Sequence, residues 1–146
     1  MPLERKQYDF APAGPTYSRA VKAGNTIFIS GCTARGTGSQ GKSMMEQLDV
    51  TLGRLIAVAR AEGAGPDSFA KLTVFVTSIS DYQADPEKQQ ELFSRHFQEL
   101  YPANSLIEIS ALAEPGLDVE VEAVVEMGRA HVGTPVTGDI RMAAVV

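Results

Sequence analysis

The sequence is poor in the residues that build disulfides and metal centres. Among its 146 residues it has one cysteine, Cys32, and two histidines, His96 and His131. A single cysteine cannot form an internal disulfide, which agrees with a reducing compartment. These residues lack the spacing of zinc ligands, so we expect no metal site and no cofactor. We interpret Cys32 as a small apolar residue at a strand end rather than a nucleophile, and His96 as a hydrogen-bonded residue on a helix.

Long apolar runs and clustered positive charges are also missing. No apolar stretch reaches membrane-spanning length, and the opening Met-Pro-Leu-Glu-Arg-Lys lacks the apolar block of a secretory signal. We therefore expect a cytoplasmic protein with no membrane partner. The formal net charge is −5, with 13 Lys and Arg against 18 Asp and Glu. Binding to a nucleic-acid backbone depends mainly on clustered Lys and Arg, so no nucleic-acid partner is expected.

The residues that are present are typical of one α+β domain. A composition of 44% hydrophobic and 21% charged residues fits a globular chain that buries its own core. The apolar period switches between two and about 3.6 along the chain. Period two and β-branched content predict strands over residues 6–10, 17–22, 26–30, 70–77, 105–110 and 119–125.

Two segments carry the signals of amphipathic helices. Ser43 and Glu46 have the spacing of a capping box, and Gly63 is placed to end the helix that they begin. Asp85 as N-cap and Pro86 at the first helical position begin a second helix. The predicted inward stripes of the two helices are Met45, Leu48, Leu52, Leu55, Ile56 and Ala59, and Leu92, Phe93, Phe97 and Leu100.

The loop before the first helix fits the letters of a phosphate-binding motif. Residues 36–43 read Gly-Thr-Gly-Ser-Gln-Gly-Lys-Ser, which satisfies G-x-x-x-x-G-K-[ST]. The motif requires a preceding buried parallel strand of a nucleotide-binding fold, and the sequence offers no such context. We interpret the segment as a flexible connection.

Bulky residues on both faces of one predicted strand indicate that both faces of the sheet are covered. Val74 and Val76 point to one face, and Phe75 points to the other, because side chains alternate along a strand. Two helices cover one face of a sheet of this size. Self-association is the simplest way to cover the second face.

Three motifs, in order and correctly spaced, carry a resemblance to a known family. They are Gly14-Pro15-Thr16-Tyr17-Ser18-Arg19-Ala20-Val21 leading into Ala23-Gly24-Asn25-Thr26-Ile27-Phe28-Ile29-Ser30-Gly31, then Pro102-Ala103-Asn104-Ser105-Leu106-Ile107-Glu108-Ile109, and Asp118-Val119-Glu120-Val121-Glu122-Ala123. The chain resembles the Rid family of reactive-intermediate deaminases, also called YjgF/YER057c/UK114.

The resemblance implies a fold and an assembly. It implies a chorismate-mutase-like Rid domain over residues 1–126, with a mixed six-stranded sheet and two helices on one face. It also implies a homotrimer with small-molecule clefts between subunits. Residues 127–146 are then a C-terminal extension, which we interpret either as a surface arm or as a clasp on a neighbouring subunit through its apolar end.

One charged residue expected from the resemblance is missing. In members that hydrolyse 2-imino acids the second motif reads Pro-Ala-Arg-Ser, and the arginine holds the substrate carboxylate. Here that position is Asn104, whose neutral amide cannot replace a charged, bidentate fork. Asn104 either donates to a differently placed acceptor or caps the turn after Pro102. The continuation Cys32-Thr33-Ala34 resembles a branch of the family in which that arginine is commonly replaced.

The remaining site residues are also implied by the resemblance. Glu120 matches the glutamate that orients or activates water, although it also fits a solvated acidic face shared with Asp118 and Glu122. Tyr17 lines the cleft, and Ser30 and Gly31 are placed where backbone approaches the ligand.

Two other cations are candidates to replace the missing arginine. Arg35 lies in a glycine-rich loop and can swing towards a ligand, whereas Arg19 is either a substitute or an exposed strand charge. Two functions stay open from the sequence. One is a deaminase-type hydrolase that uses water on an imine, enamine or related C=N compound with non-standard anchoring, and the other is a non-catalytic small-molecule-binding or interaction trimer.

Overall fold

A computed structural model describes residues 2–128, which form six strands and three α-helices. The strands are β1 (Glu4–Lys6), β2 (Ala20–Ala23), β3 (Thr26–Cys32), β4 (Phe69–Val76), β5 (Ala103–Glu108) and β6 (Val119–Glu126), and the helices are α1 (Met44–Ala61), α2 (Ile79–Tyr82) and α3 (Pro86–Phe97). They build one sheet in the order β1-β2-β3-β6-β4-β5. Only the β4–β5 pair among these is parallel. The predicted α+β fold with a six-stranded mixed sheet is confirmed.

Both predicted helix starts are confirmed. The Ser43 side chain accepts from the backbone of Glu46, and the Glu46 carboxylate accepts from the backbone of Ser43, which completes the capping box of α1. The Asp85 carboxylate accepts from the backbone of Lys88 at 3.1 Å and caps α3. The single turn α2 was not predicted, because four residues are too few to show a helical period.

The end of α3 differs from the sequence prediction. Gln98 and Glu99 adopt left-handed backbone conformations with φ of 55° and 64°, so the helix ends at Phe97. Leu100 therefore lies outside the helical stripe and is 57% exposed rather than buried. The turn is closed by the backbone of Leu100, which donates to the Phe97 carbonyl at 2.9 Å.

The core lies between α1, α3 and one face of the sheet. Its fully buried members from the helices include Leu48, Leu52, Leu55, Val58, Leu92 and Phe97, and those from the strands include Ile27, Leu72, Val74, Val76, Val119, Val121 and Val125. Phe97 meets Phe69 edge-on with 5.4 Å between ring centroids. Within residues 2–128, no helix is both long and apolar enough to cross a bilayer.

The opposite face of the sheet is open in the single chain. Phe28 of β3 is 49% exposed and Ile107 of β5 is 43% exposed. Phe75 lies on this face, opposite Val74 and Val76, as the alternation predicted. This surface, with Phe28, Phe75 and Ile107, is called the open face below.

The chain before β2 follows a different path from the predicted one. β2 begins at Ala20 instead of Tyr17, and the strand that pairs with it is Glu4–Lys6 instead of the predicted strand over residues 6–10. The reason is Arg19, whose side chain is 4% exposed and turns into the interior, so that the preceding residues loop around it. The predicted extension over residues 127–146 falls outside the described residues from position 129 onward, and so does His131.

Candidate functional site

A β-bulge in β3 shapes the centre of the candidate site. Ile29 pairs with Ala123, and Cys32 pairs with Val121. Two residues of β3 therefore lie between these pairs, whereas only one residue of β6 does. Ser30 and Gly31 form the bulge. Bulges redirect side chains and backbone next to functional sites, and here the bulge brings Gly31 against Glu120.

Glu120 lies so close to Gly31 that any side chain at position 31 would displace the Glu120 carboxyl group. A Cβ built on Gly31 would lie 2.6 Å from Cδ and 2.7 Å from Cγ of Glu120, and closer still to the carboxylate oxygen. Real Cβ atoms do not approach other heavy atoms so closely. Glycine at position 31 therefore allows the Glu120 carboxyl group to take this position.

The electrostatic surroundings of Glu120 favour its protonated form. Burial raises the pKa of the half-buried carboxyl, the neighbouring Glu122 adds to that rise, and the charge of Arg19 opposes it. A carboxyl group with a raised pKa is suited to general acid and base steps. Asp118 does not share this face. Its carboxylate accepts from Gln47 at 3.1 Å and from Thr77 at 2.9 Å.

Arg19 is a buried structural residue, and the alternative of an exposed strand charge is wrong. Its Nε donates to the carbonyl of Ala11 at 2.9 Å and its Nη2 donates to that of Pro12 at 2.8 Å. Its Nη1 donates to the bulge carbonyls of Ser30 at 3.2 Å and Gly31 at 2.8 Å. Since these carbonyls take most of its donors, Arg19 fixes the loop to the bulge.

Four of the predicted site residues line one small cavity. The cavity, of about 50 Å³, is lined by Tyr17, Gly31, Arg35 and Glu120. Tyr17 is held there by its contact with Arg19, whose guanidinium lies 5.6 Å from the ring centroid. Arg19, Cys32, Thr33 and Arg54 complete the polar part of the wall.

The other two predicted residues lie elsewhere. The Ser30 hydroxyl donates to the Ser18 carbonyl at 2.8 Å, and its side chain belongs to the open face. Asn104 pairs with Leu72, whose side chain is buried under the helices, whereas Glu120 pairs with Phe75 on the open face. Asn104 and Glu120 therefore lie on opposite faces of the sheet, and one chain does not bring them together.

Asn104 lies in a wide neutral groove at the edge strand. It is an exposed residue of β5, not of a turn, so its amide does not cap the turn after Pro102. The groove, of about 580 Å³, lies between α3 and β5. Its wall carries amide and aromatic side chains, among them Gln83, Gln89, Gln90, Phe93 and Tyr101.

Arg54 is a cavity residue that sequence reasoning missed. Its Nη1 donates to the carbonyls of Thr33 at 2.8 Å and Arg35 at 2.9 Å. A signal was available, because Gln47, Thr51 and Arg54 follow helical spacing and form a polar line beside the apolar stripe of α1. Arg35 itself donates to the Pro12 carbonyl at 3.1 Å and lies 3.7 Å from Glu114.

Cys32 and His96 lie in surroundings that favour structural rather than catalytic roles. Cys32 is 2% exposed, and burial raises the pKa of its thiol, which disfavours the nucleophilic thiolate. His96 Nε2 lies 2.7 Å from Asp49 Oδ1, between α3 and α1. Within residues 2–128, no three His, Cys, Asp or Glu side chains are grouped to hold a metal.

The loop over residues 36–43 does not have the setting of a phosphate-binding loop. The strand before it, β3, lies between antiparallel partners β2 and β6. The backbone N–H of Gly41 donates to the Gly116 carbonyl at 2.8 Å, so this donor points away from any loop ligand. The loop connects β3 to α1, as the sequence predicted.

Comparison with known proteins places this architecture in a family. Residues 8–127 match the family described as Endoribonuclease L-PSP. The chain belongs to this family. A RutC family protein of Sinorhizobium fredii is 35% identical over 117 residues, covering 78% of this chain and 88% of the relative.

Two further similar proteins are a named deaminase and a solved RidA structure. A 2-iminobutanoate/2-iminopropanoate deaminase of Dermatophagoides farinae is 28% identical over 117 residues, covering 78% of this chain and 87% of that protein. The crystal structure of RidA from an Antarctic Psychrobacter superposes with a TM-score of 0.70 at 29% identity, covering 84% of this chain and 98% of that one. This chain is thus a Rid-family protein with Asn104 in the place where the resemblance implies arginine.

Proposed function

We propose that this Rid-family protein hydrolyses the C=N bond of a small imine, including the imine tautomer of an enamine. The observation that carries the proposal is the Glu120 carboxyl, half-buried beside Gly31 in a small cavity that also contains Tyr17. A general base must be kept from full solvation and must face a space that a substrate can enter.

The reaction assigns Glu120 a proton-transfer role in both steps. Glu120 takes a proton from water as the oxygen adds to the C=N carbon and passes that proton to the nitrogen, which gives a neutral carbinolamine. Glu120 then takes the hydroxyl proton and delivers it to the nitrogen. The C–N bond breaks, ammonia leaves, and the carbon–oxygen bond becomes a carbonyl. The raised pKa of Glu120 supports this role, since a carboxyl that holds its proton more tightly is a better base and can return the proton to nitrogen.

We further propose that the complete site forms between copies of this chain. Asn104 lies on edge strand β5, on the face opposite Glu120, so only another copy can present it to the cavity. The apolar side chains of the open face support self-association, and the family resemblance implies three copies. In this arrangement Asn104 donates a neutral hydrogen bond, and Ser30 contributes to the interface.

One observation favours a second candidate function. Asn104 replaces the arginine that the resemblance assigns to the substrate carboxylate, and its groove is lined by neutral amides. A binding or interaction trimer without turnover would retain this fold and lose the charged anchor. The rate of imine hydrolysis distinguishes the two candidate functions.

The test is the hydrolysis rate of freshly generated 2-iminopropionate and 2-iminobutyrate, with N-benzylidene methylamine as an imine without a carboxylate. We compare the wild type with Glu120→Gln and Asn104→Arg. Glu126→Gln is the control, because Glu126 is an exposed residue at the other end of β6. We expect Glu120→Gln to lower the rate about 10²-fold or more, as loss of a general base does, and Glu126→Gln to leave it unchanged.

A wild-type rate equal to the spontaneous rate on all three imines contradicts the enzyme proposal and favours the binding trimer. A Glu120→Gln rate equal to the wild-type rate removes Glu120 from the mechanism. The Asn104→Arg variant reports on the anchor, since a gain confined to the two imino acids indicates that position 104 faces the substrate carboxylate.

A further inference from the structure

Arg54 has more hydrogen-bond donors than the described residues use. A guanidinium carries five N–H groups. The two on Nη1 are donated to the carbonyls of Thr33 and Arg35. The three on Nε and Nη2 find no acceptor within residues 2–128, although the side chain lines the cavity of Glu120.

The other two arginines of the cavity are engaged differently. Arg19 donates from all three of its nitrogens to protein atoms. Arg35 donates from Nη2 to Pro12 and has Glu114 beside Nη1. Unlike Arg35, Arg54 has no carboxylate partner within residues 2–128. Its unused Nε and Nη2 form an edge of the guanidinium that can bind a carboxylate in bidentate geometry.

The charge around Arg54 also favours an anion. Three arginines and one glutamate line the cavity, so positive charge is in excess. Burial lowers the pKa of Arg54, and the neighbouring charges of Arg19 and Arg35 add to that effect. Arg54, Cys32 and Glu120 all line this cavity.

We propose that Arg54, assisted by Arg35, binds the carboxylate of a small anionic ligand and thereby supplies the anchor that Asn104 does not. The inference rests on the proposed function only in placing the ligand in the same cavity. A cavity of about 50 Å³ has room for a small oxyanion group beside Arg54. The rest of the ligand then extends past Glu120, towards the space that a neighbouring copy closes.

The test measures binding of a stable ligand, independently of turnover. Pyruvate is the anionic probe, and pyruvamide has the same shape without the charge. Dissociation constants come from isothermal titration of the full-length wild type, Arg54→Gln, Arg54→Lys and Arg60→Gln. Arg60 is the matched control, because it is an exposed arginine on the last turn of the same helix.

We expect Arg54→Gln to weaken pyruvate binding about 10-fold or more, since hydrogen bonds between charged partners are the stronger ones and glutamine has neither the charge nor the fork. Its binding of pyruvamide should not change. Arg54→Lys keeps the charge and loses the fork, so it should lie between the wild type and Arg54→Gln. If circular dichroism shows that Arg54→Gln does not fold, pyruvate binding by Arg54→Lys relative to the wild type still tests the proposal.

The outcomes separate this inference from the proposed function. Arg54-dependent pyruvate binding in a protein that hydrolyses no imine supports the inference and contradicts the function. Glu120-dependent hydrolysis together with equal pyruvate binding by the wild type, Arg54→Gln and Arg54→Lys keeps the function and overturns the inference. Wild-type binding of pyruvate no tighter than of pyruvamide also overturns it.

Discussion

The carboxyl group of Glu120 occupies the space that a Cβ on Gly31 would need. The glycine comes from the β3 bulge and the glutamate from the neighbouring β6, so the contact joins two central strands of the sheet. It explains why a strand residue facing a cavity is glycine, although glycine weakens strands. The position of the carboxyl group therefore depends on the absence of a side chain at position 31.

Gly31→Ala should displace Glu120 and lower imine hydrolysis. A misplacement of about 1 Å can reduce a rate about 10²-fold, and the added methyl group requires a shift of that size. Steady-state kinetics on 2-iminopropionate checks this expectation. Gly38→Ala is the control, because nothing lies within 4 Å of a Cβ built at Gly38. Equal rates for the two variants would refute the positional role of Gly31.

Glu120→Gln should stabilise the protein above the ordinary pKa range of glutamate. The folded state raises the pKa of Glu120 from 4.5 through burial, so the folded state binds this proton more tightly than the unfolded state does. Stability from this group is present at low pH and is lost as the pH rises through the raised pKa. Glutamine stays neutral and avoids that loss.

Thermal unfolding from pH 3.5 to pH 8 provides the measurement. The melting temperature of Glu120→Gln should exceed that of the wild type at pH 7, and the difference should shrink towards zero below pH 4.5, the ordinary pKa. Glu126→Gln controls for charge removal on β6. A difference that is the same at every pH would show that burial of the Glu120 charge has no part in it.

Arg19→Gln should destabilise the fold by roughly 3 kcal/mol, since each buried carbonyl left without a donor costs about 1–3 kcal/mol. Arg19 donates to four backbone carbonyls, and glutamine reaches fewer of them. Urea denaturation measures the change in free energy of unfolding. Arg5→Gln on exposed β1 should change it by less than about 0.5 kcal/mol. Similar losses for both variants would argue against the structural role of Arg19.

Phe28→Asp should reduce self-association. Phe28 is 49% exposed at the centre of the open face, and an aspartate buried there by another copy would lose hydration without a partner. Sedimentation velocity over a range of concentrations checks the assembly. Leu3→Asp is the control, since Leu3 is 50% exposed but precedes edge strand β1. A wild type that stays monomeric at every concentration would refute the proposed trimer.

Local signals explain what could be predicted from the sequence. The Ser43 capping box and the Asp85-Pro86 start act within a few residues, so the helix starts were predictable from a short stretch of sequence. The end of α3 was not, because left-handed Gln98 and Glu99 are neither glycine nor asparagine.

The site depended on contacts that no local pattern contains. Arg19 is buried because carbonyls from two distant segments converge on it, and Arg54 reaches the cavity through the packing of α1 against the loop after β3. Asn104 and Glu120 lie on opposite faces of the sheet because they pair with residues of β4 that face opposite ways. Pairing registers between strands far apart in the chain could not be obtained from periodicity alone.

The strand that carries Glu120 is the last of the six to be synthesised, yet it lies inside the sheet between β3 and β4. Until β6 emerges from the ribosome, β3 and β4 each keep one edge unpaired, and the sheet exists only as two separate halves. The pairing of Thr26 with Glu126 spans most of the described chain, so sheet closure is a long-range and therefore slow folding event. The nascent protein thus positions Glu120 in the same step that covers the inner edges of β3 and β4, which are prone to aggregate while unpaired.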